Sequence, residues 1–173
     1  MSQTLRTDPR SGAAVTLDWH EELVHHERMW HSSSTRIVVA IAGVTNFLLM
    51  VPAVVGGGAA THFWYRVEST GQVSADLYEN PTITVNGNAR PPVNVDRESA
   101  AATTVTCFSE STIGANGTYL TSRVSGAAKG KVGGVAESAS AWHGSVNEDY
   151  LLVVTTYAND IEIVVTWRFH EET

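Results

Sequence analysis

The chain has 173 residues, enough for one domain with a real core and too short for two comfortable ones. Apolar residues make up 43% and charged residues 17%, below the roughly 25% of a typical domain, which argues against disorder and points to a surface partly covered by partners. Net charge is −7 and the eleven Lys and Arg residues are scattered, which excludes the clustered cations that direct nucleic-acid binding requires.

Met1 to about Val15 reads as an extended arm, because its Ser, Thr, Pro, Arg and Gly residues carry neither a helical nor a strand period. The same stretch lacks the apolar core of a secretion signal, so none is expected. Leu17 to His31 is rich in His, Glu and Trp. A helix from Asp18 would bring Trp19, Leu23, Met29 and Trp30 only roughly to one side, and an irregular or extended clamp fits as well. Ser32-Ser33-Ser34 closes the segment, giving an expected division into an arm and clamp (1–34) and a β-sandwich domain (35–173).

From Thr35 onward the pattern is that of strands. Arg36 to Ala42 is a β-branched run and Asn46 to Val55 a second apolar run. Ile37 to Thr61 carries no charge and is long enough to span a membrane. Thr45-Asn46, Pro52 and Gly56-Gly57-Gly58 interrupt it, so two strands and a turn are the better reading. Phe63, Tyr65 and Val67 alternate with Trp64, Arg66 and Glu68. After Thr70-Gly71-Gln72, Val73, Ala75 and Leu77 alternate with Ser74, Asp76 and Tyr78. Asn80-Pro81 punctuates, Thr82 to Val85 is a short strand, and Asn86-Gly87-Asn88 is a strong turn signal.

Ala89 to Ala101 contains Pro91-Pro92 and reads as a loop, and Thr103 to Phe108 as a strand. Ala115-Asn116-Gly117 is a turn and Thr118 to Val124 alternates. Gly126 to Gly134 is a Gly-, Lys- and Ala-rich surface excursion, and Val135 to Trp142 a short edge strand. Tyr150 to Tyr157, Ala158-Asn159-Asp160 and Ile161 to Phe169 read as a terminal hairpin, with Ile161, Ile163, Val165, Trp167 and Phe169 on one face. About eight to ten short strands without a long helix predict an all-β antiparallel sandwich of jelly-roll type.

Candidate chemistry is sparse. His20, His25, His26 and His31 cluster with Glu21, Glu22 and Glu27. His20 and His25 are five apart, about 140° on an ideal helix, so the zinc-protease pattern of two His on one face fails. The four histidines remain weak metal candidates, and contacts within an assembly are the simpler reading. No Gly-x-Ser-x-Gly elbow and no Lys-Ser/Thr tail after a Gly-rich loop is present. Asp96, Glu79 and Glu110 sit in or near loops, where most surface carboxylates sit. Cys107 lies in an apolar, Thr-rich run and reads as a small buried side chain, and a single cysteine forms no intrachain disulfide. Trp64, Tyr65, Tyr78, Trp142 and Trp167 are candidates for a sugar-binding face, against the more ordinary role of core and interface aromatics. No enzyme activity, catalytic residue or cofactor is expected.

The order of several short motifs resembles a group of small virion proteins of tailed bacteriophages. The matching pieces are His25-His26-Glu27, Leu77-Tyr78-Glu79, Asn94-Val95-Asp96-Arg97 before Thr103-Thr104, Asn159-Asp160, and Trp167-Arg168-Phe169-His170-Glu171. The arm and the uncharged run from Ile37 to Thr61 depart from that pattern. The resemblance implies a β-sandwich that decorates or cements the capsid exterior, bound to the major capsid protein and commonly trimeric, with no nucleic-acid or membrane contact. Expected interface residues are Trp19, His25, His26, Met29, Trp30, Trp167 and His170. A tail, neck or fibre protein and a carbohydrate-binding adhesion module are the alternatives.

Overall fold

Alternation of apolar and polar side chains is cleanest over Thr61–Ser69 and Ile161–Glu171, and these two strands pair at the centre of the larger sheet. The computed structural model describes residues 4–7, 14–17, 29–39, 43–52, 61–126, 134–138 and 141–171. Among them every regular element is a strand: β1 (Thr4–Thr7), β2 (Ala14–Leu17), β3 (Met29–Ser33), β4 (Ile37–Val39), β5 (Val44–Val51), β6 (Thr61–Ser69), β7 (Val73–Glu79), β8 (Thr82–Val85) and β9 (Asn88–Ala89). There follow β10 (Val93–Asn94), β11 (Thr106–Ser109), β12 (Thr112–Ala115), β13 (Thr118–Ser125), β14 (Gly134–Glu137), β15 (Trp142–Gly144), β16 (Glu148–Thr156) and β17 (Ile161–Glu171).

All pairings are antiparallel. A seven-stranded sheet runs β10-β3-β17-β6-β14, with β4 also on β17 and β15 also on β6. A six-stranded sheet runs β13-β7-β16-β5-β11-β9. Their inner faces interdigitate in one core. Trp30, Phe63, Tyr65, Val67, Ile163, Val165, Trp167 and Phe169 meet Phe47, Leu49, Leu77, Cys107, Leu152 and Val154. This is the expected all-β sandwich.

The far face of the six-stranded sheet is apolar as well. Leu48, Leu151 and Val153 pack there with Met50, Tyr78 and Phe108, and Ile83 and Ile113 join the cluster from a ribbon of β8 and β12. The molecule is therefore a sandwich with a third, partial layer over one sheet. This explains why Tyr150 to Val154 are buried without a break: β16 is covered on both faces.

Several expectations are corrected. β16 and β17 are not a hairpin: β16 lies between β5 and β7, whereas β17 lies between β6 and the pair β3/β4. The turn at Ala158-Asn159-Asp160, with Asp160 at φ 52°, carries the chain from one sheet to the other. The expected boundary after residue 34 divides the fold from part of itself, because β3 pairs with β17 and buries Trp30. The arm contains two strands that pair with each other, Thr4 opposite Leu17 and Thr7 opposite Ala14, which satisfies their backbone groups locally. Val135 to Trp142 is two strands, β14 and β15, both on β6. The Pro91-Pro92 loop holds β9 on the six-stranded sheet and β10 on the seven-stranded one, so it laces the two layers. Arg90 strengthens that lacing: its carbonyl accepts from Ser32 Oγ at 2.6 Å and its Nε donates to Ser109 Oγ at 2.8 Å.

Two turns read from the sequence depend on glycine. Gly87 and Gly117 both sit at φ 86°, and a Cβ there would collide with backbone carbonyls, that of Ser109 at Gly87 and that of Glu79 at Gly117.

Candidate functional site

The outer face of the seven-stranded sheet collects the polar half of the alternating pattern. Strand register arranges it in rows. The first runs His143, His62, His170, Met29. The second runs Trp64, Arg168, His31, Val93. The third runs Glu137, Arg66, Thr166, Ser33, and the fourth Val135, Glu68, Val164. Directly opposed side chains in such rows lie about 5 Å apart, close enough to act together.

In the first row the His62 and His170 rings stack at 4.7 Å and 9°, and His143 meets His62 edge-on at 5.0 Å. Trp64 leans on His170 at 5.8 Å. Ring-to-ring packing points the rings at one another, and no group of three or more His, Cys, Asp or Glu among the described residues is placed to hold a metal ion.

The second to fourth rows floor a groove of about 800 Å³, lined by Met29, His31, Ser33, Trp64, Tyr65, Arg66, Glu68, Val95, Glu137, Ser138, Thr166 and Arg168. Arg66 Nη2 pairs with Glu68 Oε1 at 2.8 Å. Its Nε is buried and makes no hydrogen bond among the described residues. Ser33 and Thr166 share a hydroxyl–hydroxyl bond at 2.9 Å. The groove thus offers an indole, two guanidiniums, two carboxylates, an imidazole and several hydroxyls.

Of the residues read from the sequence as interface or weak metal candidates, Trp19, His20, His25 and His26 lie outside the described residues, as does the His25-His26-Glu27 motif. Met29 and Trp30 are adjacent and face opposite ways. Met29 ends the histidine row, while Trp30 is buried in the core and stacks on Phe169 at 6.0 Å. Trp167 is buried in the core, 2% exposed, with its Nε1 unpartnered among the described residues. His170 is buried in the first row, and His31 lines the groove. The side chains of Met29, Trp30, Trp167 and His170 are thus covered within the chain itself.

The five aromatics do not form one platform. Tyr65 and Trp167 are buried in the core, Trp142 packs against its margin and Tyr78 faces the ribbon; Trp64 is on the outer groove floor, which Tyr65 also borders. Sequence reading missed His62 and His143. Their signal was phase: His62 falls out of step with the buried Phe63, Tyr65 and Val67, which assigns it to the face of Trp64 and Arg66.

The remaining motif residues serve the fold. Asn94 Oδ1 accepts from Asp96 N at 2.9 Å, and Asp96 Oδ1 accepts from Glu98 N at 3.0 Å, which shapes the loop after β10. Thr103 and Thr104 hydroxyls donate to Glu171 Oε1 at 3.0 and 3.3 Å, tying that loop to the last strand. Cys107, on β11 of the six-stranded sheet, is buried in the core between the sheets, and desolvation pushes its thiol up to about 12. No described helix is long and apolar enough to cross a membrane.

Among known proteins, no family model and no curated protein matches the chain. A solved structure of infectious bursal disease virus, Gt strain, aligns over 97% of this chain and 44% of that chain, at 10% identity and a TM-score of 0.19. One of the Gx strain aligns over 98% and 45%, at 12% identity and a TM-score of 0.12. The chain spans less than half the length of the chains it aligns with, and at these TM-scores neither alignment bears on function.

Proposed function

We propose that this chain is a structural virion protein of a tailed virus, a capsid decoration or cement protein that stabilises the head by bridging capsomers. The observation that carries the reading is an apolar patch at one end of the six-stranded sheet. The register row there runs Val124, Ser74, Thr155, Val44, and both valines are more than half exposed. Tyr157, also exposed, lies across it with its hydroxyl 3.1 Å from Ser74 Oγ. Exposed apolar side chains gathered in one place are the usual mark of a subunit contact.

The motif order that resembles phage virion proteins adds to this. A cementing protein gains its hold from many copies on a lattice, each adding a modest contact at high effective concentration. The partners are then the major capsid protein and further copies of this chain, with a trimer favoured.

The test is a head-stability assay. Heads lacking the protein should assemble but break under heat or osmotic stress, and adding the purified chain should restore their resistance. Val124→Glu should abolish that rescue while the variant remains folded. Equal robustness with and without the protein, or labelled protein confined to the tail, would reject the proposal.

A further inference from the structure

We propose that Asn116-Gly117 is a site of spontaneous covalent modification, at which Asn116 closes to a succinimide and reopens as aspartate or isoaspartate. The inference does not depend on the virion reading.

Two Asn-Gly pairs occupy matching turns, one after each strand of the ribbon: Asn86-Gly87 follows β8 and Asn116-Gly117 follows β12. Each strand is entered through a positive-φ residue, Asn80 at 53° before β8 and Glu110 at 58° before β12. Each glycine packs against the entry of the other strand, Gly87 on the carbonyls of Ser109 and Glu110, Gly117 on those of Glu79 and Asn80. All four Asn and Gly residues are exposed.

The chemistry needs these two residues in this order. The backbone nitrogen after the asparagine loses its proton to water and attacks the side-chain Cγ. A glycine leaves that approach unhindered, because it carries no side chain. The N–Cγ bond forms, the Cγ–Nδ2 bond breaks, and ammonia leaves with a proton taken from water. Water then opens the ring at either carbonyl. In sum an amide and a water become a carboxylate and an ammonium ion, with nothing oxidised or reduced. Opening toward isoaspartate adds a backbone methylene where Gly117 already lies against two carbonyls, so the ribbon loses its fitted return into β13.

What separates the two turns is what holds them. The attack requires the peptide between Asn and Gly to swing toward the side chain. At Asn86 that peptide is clamped, because Ser111 Oγ donates to the Asn86 carbonyl. Ser111 is itself fixed to β5: its N donates to the Asn46 carbonyl at 3.4 Å, and its carbonyl accepts from Asn46 Nδ2 at 3.1 Å. Asn88, next along, donates from Nδ2 to Glu110 Oε2 at 2.6 Å. In the other turn the place of Ser111, one residue past the positive-φ entry, is taken by Pro81. Proline has neither a hydroxyl nor an N–H to offer. Among the described residues no side chain donates to the Asn116 carbonyl, so that peptide is the freer of the two.

The experiment incubates the full-length chain in mildly alkaline buffer, folded and in urea. Peptides spanning each turn are followed by mass spectrometry for the change from amide to carboxyl, and by labelling with an isoaspartyl methyltransferase. In urea both turns should convert. In the folded chain Asn116 should convert at least about fivefold faster than Asn86, the factor that one hydrogen bond is worth. Ser111→Ala removes the clamp and should bring Asn86 up toward the rate of Asn116; the parent comparison stands by itself if that variant does not fold. An Asn116 amide that survives in the folded chain while urea destroys it would overturn the assignment. So would Asn86 converting as fast as Asn116 in the parent, or an unchanged Asn86 rate in folded Ser111→Ala.

Discussion

Truncation of Leu151 to alanine tests the third layer directly. Leu151 is fully buried, yet it points away from the main core. Its cross-strand neighbours are Leu48 on β5 and Tyr78 on β7, and Ile83 and Ile113 of the β8–β12 ribbon belong to the same cluster. Removing about three carbon groups at about 0.8 kcal/mol each loses about 2.4 kcal/mol of transfer free energy. The cavity left under the ribbon raises the total to about 3–4 kcal/mol. A chain of this size then melts about 6–16 °C lower. Urea denaturation of the parent, Leu151→Ala, Ile113→Ala and the double variant measures the cost. The two residues should couple by about 0.5 kcal/mol or more, since they share the cluster. If the ribbon does not cover this face, Leu151 is a surface leucine in solution. The variant would then cost no more than about 0.5 kcal/mol and the coupling would vanish, which refutes the layered architecture.

Two further outcomes follow from buried titratable groups. With its thiol pushed up to about 12 by burial, Cys107 should resist an aromatic disulfide reagent in the native chain near pH 8 and react once urea unfolds it; rapid stoichiometric labelling of native protein contradicts the core assignment. Burial raises the pKa of the Asp149 carboxyl, so the folded state binds its proton more tightly than the unfolded state does. That contribution to stability is fully present below the unfolded pKa and is lost as pH rises through the folded one. Asp149→Asn should therefore stabilise the chain near pH 7 and give no advantage near pH 3, checked by thermal melts at both; a variant less stable than the parent near pH 7 refutes the desolvation argument.

The strands were legible where side chains alternate and obscure where neighbours decide. Phe63, Tyr65, Val67 and the series Ile161 to Phe169 announce both their strands and their buried faces, because a period of two has one meaning. Gly87 and Gly117 announce turns for an equally local reason. The connection at Ala158-Asn159-Asp160 reverses the chain, but nothing in three turn residues says whether the next strand joins the same sheet or the facing one. The candidate site was hidden for the same cause. His143, His62 and His170 are far apart in sequence and meet only through the register of β15, β6 and β17. Trp64 and Arg168 likewise become neighbours by pairing and not by spacing.

The low charge fraction has a different origin from the one the composition first suggests. A two-layer sandwich normally leaves both outer faces to water, and each then needs polar side chains. Here the far face of the six-stranded sheet carries Leu48, Met50, Leu151 and Val153 under the chain's own ribbon, so much of the apolar surplus is covered internally. The opposite outer face does carry charge, with Arg66, Glu68, Glu137, Glu162 and Arg168 on adjacent strands. Among the described residues the large apolar side chains left exposed are Val44, Tyr157 and Val124 at one end of the six-stranded sheet, and Val38, Val85, Tyr119 and Val135 elsewhere. The proposed contact surface thus lies on the sheet opposite the charged face. A variant at Val124 should therefore lose the head while keeping its fold, which binding to purified heads and a thermal melt together check.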